Sequence, residues 1–135
     1  MNYLTGLFII LTVAAYVGHV KSEIACRVRS YKQWPGFVRG SGEVHHDPHY
    51  NEYEVPDFKK ILILKELSTT NTIAELKTAL KTIIGYDPSV YILWVKEVKN
   101  GRYTLPQDHE LLSHFSKPSV LLPAVEVEIR QINGN

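Results

Sequence analysis

The sequence predicts an α+β domain, a mixed sheet of four to five strands with one main helix packed across it. Three observations carry that prediction. Strictly alternating stretches lie toward both ends of the chain, "EIACRVRS" from Glu23 and "AVEVEIR" from Ala124. One segment between them, "TIAELKTALKTIIGYDP", has helical spacing with a start and a stop signal. Two apolar runs, "FKKILILKEL" and "SVYILWVKEV", flank that helix on either side.

In "EIACRVRSYKQW" the positions Ile24, Cys26 and Val28 alternate with Ala25, Arg27 and Arg29. Cys26 therefore points into the core as a small hydrophobe, and as the one cysteine of the chain it has no intramolecular disulfide partner. Phe58–Leu67 is a second strand, apolar on both faces, which suits an internal place in the sheet. Thr72 followed by Glu75 makes a capping box, and Ile73, Leu76, Leu80 and Ile83 form the apolar stripe of the helix. Gly85 stops that helix and Pro88 prevents its resumption. Ser89–Val98 is a third strand, and the Asn100-Gly101 pair after it signals a tight turn. "PQDHELLSHF" reads as a short helical turn that turns Leu111, Leu112 and Phe115 inward. The last strand carries Val125, Val127 and Ile129 on one face, with Glu126, Glu128 and Arg130 on the other.

The 135 residues are enough for one domain, and a formal charge of +1 gives no field for a nucleic acid partner. The first residues differ from the rest. Leu4–Val20 holds no charged residue and runs into "KSE", the pattern of a secretory signal peptide over residues 1–22. A membrane anchor is the alternative, although 17 residues of helix reach only about 25 Å against a hydrocarbon core of roughly 30 Å. A buried first element of the fold is the third reading. Cleavage after Ser22 leaves 14 Lys and Arg against 14 Asp and Glu, and a secreted chain with no attachment to a membrane.

From Thr72, "TIAELKTALKTIIGYDPSVYILWV" resembles the central segment of ubiquitin-like domains. The Thr-Ile opening of the helix, Lys77, Gly85, Pro88 and the strand around Leu93 fall in the same order and spacing. Further on, Gly101, Arg102, Thr104 and Leu105 are similar to that family's "GRTL" stretch, with Asp108 and Leu111 in its next turn. "TIAELK" is also similar to the corresponding piece of the elongin-B-type adaptors within the family. The resemblance covers about Phe58 to Arg130. It implies a β-grasp fold over residues 23–135 and a non-enzymatic role in protein recognition, without a cofactor. It puts Trp94 at the place of the family's exposed apolar anchor, so Trp94 and Leu93, with Trp34 and Phe37 of the neighbouring loop, form the expected partner-binding patch. The chain ends "QINGN" and lacks the diglycine of conjugated modifiers. If the leader is not a signal peptide, the resemblance points instead to an adaptor subunit of the cytoplasm or nucleus, working in a ubiquitin-ligase or transcription-elongation complex.

The long loop between the first two strands, Tyr31–Pro56, departs from the short hairpin of such folds. Structureless loops beyond about 12–15 residues are uncommon in compact domains and are often functional. His45, His46 and His49 supply ligand types for a metal, and a histidine-loop metal-binding protein is the remaining alternative. Adjacent imidazoles point apart in an extended chain, and no Cys or Glu-x-x-His frame accompanies them. No metal is therefore expected, and the loop reads as a recognition surface. No phosphate loop, nucleophile elbow or paired-Cys motif appears, so no catalytic residue is expected either.

Overall fold

Alternation at the first described segment produces β1 (Glu23–Ser30), in which Ile24, Cys26, Val28 and Ser30 are buried and the intervening residues face the other way. The computed structural model describes residues 22–40, 58–119 and 121–132. The leader-like Leu4–Val20 run and His45, His46 and His49 lie outside the described residues. After β1 come β2 (Val38–Arg39), β3 (Phe58–Lys65), α1 (Ile73–Ile84), β4 (Tyr91–Lys96) and β5 (Tyr103–Thr104). A 3₁₀ turn at Leu112–His114, β6 (Ser116–Lys117) and β7 (Ala124–Gln131) complete the order.

The mixed sheet runs β2-β3-β1-β7-β4-β5, with β6 set against the start of β7. β1 pairs antiparallel with β3 and parallel with β7, so Cys26 lies between Leu62 and Val125. β4 pairs antiparallel with the other edge of β7, with Trp94 opposite Glu128. Seven strands exceed the four to five expected because β2, β5 and β6 have two residues each, too few for alternation to show in sequence. The Phe58 strand was expected inside the sheet, and it lies between β2 and β1; among the described residues β2 pairs with it only at Phe58 and Lys59, and Ile61 and Ile63 are exposed.

One face of the sheet is closed by α1. Ile73, Leu76 and Leu80 are fully buried against β-strand residues such as Ile24, Leu64, Leu93 and Val127. Each such side chain contributes roughly 1.5–3 kcal/mol by leaving water. The stripe stops there, because Ile83 is 49% exposed. Thr72 opens the helix: its hydroxyl accepts from the Glu75 amide at 3.3 Å, and the Glu75 carboxylate accepts from the Thr72 amide at 3.2 Å. Gly85, at φ 78°, ends it in the left-handed conformation that disfavours a side chain. In the turn after β5, Leu112 and Phe115 enter the core while Leu111 stays 41% exposed.

The loop after β1 folds back as a plug at the end of the core. The Trp34 indole donates to the buried Ser30 hydroxyl at 2.9 Å, which accounts for that polar group inside an apolar cluster. Trp34 also packs against Tyr91 with ring centres 4.9 Å apart and tilted by 60°. Gly36 makes the turn at φ 81°, and a side chain there would collide with the ammonium end of Lys60.

The capping box makes a quantitative expectation. Thr72→Ala should lower stability by about 1 kcal/mol, seen as a reduced urea midpoint with an unchanged slope. An unchanged midpoint would mean that the box does not hold the start of α1.

Candidate functional site

The sheet face turned away from α1 holds the candidate site. Strand alternation places Lys59, Ile61, Ile63 and Lys65 of β3 there, beside Arg27 and Arg29 of β1. Glu126 and Glu128 of β7 follow, then Ile92, Trp94 and Lys96 of β4 and Tyr103 of β5. A groove of about 620 Å³ crosses this face, bordered by Arg27, Lys59, Ile61, Lys96 and Tyr103. Its two ends differ. Toward β5, Trp94 and Tyr103 form a small buried cluster with Ile92 packed against it, and Glu128 is fully buried. Toward β3, Ile61 is 62% and Ile63 46% exposed.

Charge on this face is arranged in pairs across strands. Glu126 lies between two ammonium groups, Lys96 at 3.3 Å and Lys117 at 3.5 Å. Partial burial pushes the Glu126 carboxyl up, but the two cations outweigh that and hold it below the ordinary glutamate range. An Arg29 guanidinium N–H donates to the Tyr103 hydroxyl at 3.4 Å. Burial pushes that phenol up to about 12, against the lowering pull of Arg29, so it stays protonated and available as a donor. The Lys96 ammonium also stands 5.9 Å from the Tyr103 ring centre.

These groups suit binding. Glu126 is held ionised between cations and is a poor proton donor near neutral pH. Cys26 lies in the core, where burial pushes its thiol up to about 12, so it acts as a packing group and is inert as a nucleophile. Among the described residues no group of three His, Cys, Asp or Glu side chains is placed to hold a metal ion. No helix among them is long and apolar enough to cross a membrane.

The four residues expected as a patch are not gathered on one surface. Leu93 is 3% exposed and points into the core under α1, whereas its neighbour Trp94 points to the opposite face, as successive residues of a strand must. Trp94 is 8% exposed and packs with Tyr103, away from the Trp34 loop. Trp34 and Phe37 are buried in the main core. The exposed apolar residues of the far face include Ile61 and Ile63 of β3 and Val38 of β2, which stands opposite Lys59. The signal of the two isoleucines was present in "KKILILK", where Lys59, Ile61, Ile63 and Lys65 recur at period two and share a face with two cations at its ends.

Comparison with protein-family models, curated proteins and solved structures finds no match to this chain.

The Glu126 cluster fixes a pH dependence. Because its carboxyl is held below the unfolded value, its stabilisation is present at neutral pH and is lost as pH falls through the folded-state value. Thermal unfolding should show wild type above Glu126→Gln at neutral pH, with the gap closing as pH falls below 4.5, the ordinary value. A gap independent of pH would remove the ion pairs from the account.

Proposed function

We propose that this chain is a non-enzymatic protein-recognition module of the ubiquitin-like β-grasp kind, and that it engages its partner across the sheet face opposite α1. The strand order supports the β-grasp reading. The first and last long strands pair in parallel at the centre, each is flanked outward by an antiparallel strand, and one helix covers a single face. The observation that carries the functional reading is the exposure of Ile61 and Ile63 side by side on that open face, next to a cationic groove. Scattered exposed apolar residues are ordinary, but two β-branched side chains adjoining a groove make a surface that gains by being covered. The leader-like Leu4–Val20 run makes the module, on this reading, an extracellular one.

Affinity capture with the chain as bait tests the proposal. A partner held by wild type should be lost, with affinity down about tenfold or more, in the double variant Ile61→Asp, Ile63→Asp. It should be kept by Ile83→Asp, an exposed apolar residue on the helix side. Equal capture by wild type and the double variant would rule out this face.

A further inference from the structure

We infer that the hairpin turn between β4 and β5 is a self-modification site, at which water converts Asn100 to aspartate or isoaspartate when Glu97 releases it, and that the conversion frees β5. This site stands apart from the recognition reading and does not depend on it. The sequence supplies the reacting groups. Gly101 follows Asn100 and has no side chain to obstruct an approach, so its backbone nitrogen can reach the Asn100 side-chain carbonyl carbon. That nitrogen forms the new C–N bond, the side-chain nitrogen leaves as ammonia with the Gly101 proton, and a cyclic imide closes. Water then opens one of the two imide C–N bonds. Opening on the side-chain side gives aspartate. Opening on the main-chain side gives isoaspartate, in which the backbone runs through the former side chain. No oxidant or reductant is needed.

The folded turn holds these groups apart. Its ends are joined where the Glu97 amide donates to the Arg102 carbonyl at 2.8 Å. The Asn100 side-chain amide donates to the Glu97 carboxylate at 3.0 Å, which fixes the nitrogen that must leave. The Gly101 amide donates to the Glu97 carbonyl at 2.9 Å, so the attacking nitrogen is turned toward Glu97 and keeps its proton. One contact works the other way. The Arg102 amide donates at 3.0 Å to the Asn100 side-chain oxygen, on which charge develops as the imide forms. The turn is therefore primed at Arg102 and held shut at Glu97, and Asn100 and Gly101 are both exposed to water. Either product undoes the lock. An aspartate at position 100 sets a second carboxylate against Glu97 where the hydrogen bond stood, and isoaspartate lengthens the backbone inside the turn. β5 is only Tyr103–Thr104, paired with Lys96 and Val95, so it has little else to hold it once the turn opens. Its release withdraws the Tyr103 ring from Trp94 and unseals the closed end of the far face.

The test ages the purified full chain in neutral buffer beside the peptide Val-Lys-Asn-Gly-Arg, the sequence of residues 98–102. Mass spectrometry after digestion reads the mass gained at Asn100 when its amide becomes an acid. The folded chain should convert about tenfold or more slower than the peptide, because reaction waits for local opening. Glu97→Ala, with amide exchange in α1 still that of wild type, should convert several-fold faster than wild type. Glu97→Gln keeps a side-chain oxygen that accepts from Asn100 and should stay slow. Converted wild-type protein, separated by its added negative charge, should show faster amide exchange at Tyr103 and Thr104 with α1 unchanged. The peptide comparison and the exchange of the converted protein need no variant, so they decide the matter should Glu97→Ala fail to fold. Wild type converting as fast as the peptide would overturn the inference. So would a folded Glu97→Ala no faster than wild type, or a converted protein whose β5 exchanges as before.

Discussion

β1 is hydrogen-bonded along both edges, antiparallel to β3 and parallel to β7, and the remaining elements take their positions from that arrangement. A parallel pair needs a crossover, and here residues 31–123 supply it, with α1 packed on one face of the sheet. With β1 and β7 side by side, Cys26, Val28, Val125 and Val127 form the floor on which Ile73, Leu76 and Leu80 are packed. The same register fixes the other face. Arg27 and Arg29 must then lie beside Glu126 and Glu128, so opposite charges alternate across the middle of the sheet.

Having one helix, the sheet covers one face with it and gives the other a different chemistry. Near β4 and β5 that face is closed by the Trp94 and Tyr103 rings and by the ion pairs of Glu126. At β3 the isoleucines stay exposed, and the outermost strand, β2, is too short to cover the edge beyond Lys59. Lysines at the two ends of the exposed row discourage self-pairing, a familiar protection of edge strands.

Much of this was legible in the sequence, and the misses share a cause. The helix could be read because its cap, stripe and stop are local signals, and β1 and β7 because each alternates cleanly. Which strands are neighbours is not local. "FKKILILK" has the composition of a strand covered on both faces, and only the placing of the one helix on the opposite face leaves Ile61 and Ile63 exposed. Trp94 shows the same limit. Its place in β4 was readable, but its burial depends on Tyr103, brought alongside by a two-residue strand that leaves no pattern. For the patch, Leu93 and Trp94 were grouped by proximity in sequence, although alternation already sends them to opposite faces.

Among the described residues β3 is paired along its β1 side and, from Ile61 to Lys65, unpaired on its outer side, and amide hydrogen exchange along that strand tests this arrangement most directly. The account predicts alternation: Leu62 and Leu64, bonded to β1, exchange on the order of a hundredfold or more slower than Ile61 and Ile63. Uniform slow exchange through Ile61 to Lys65 would contradict it, because the outward amides would then already be paired.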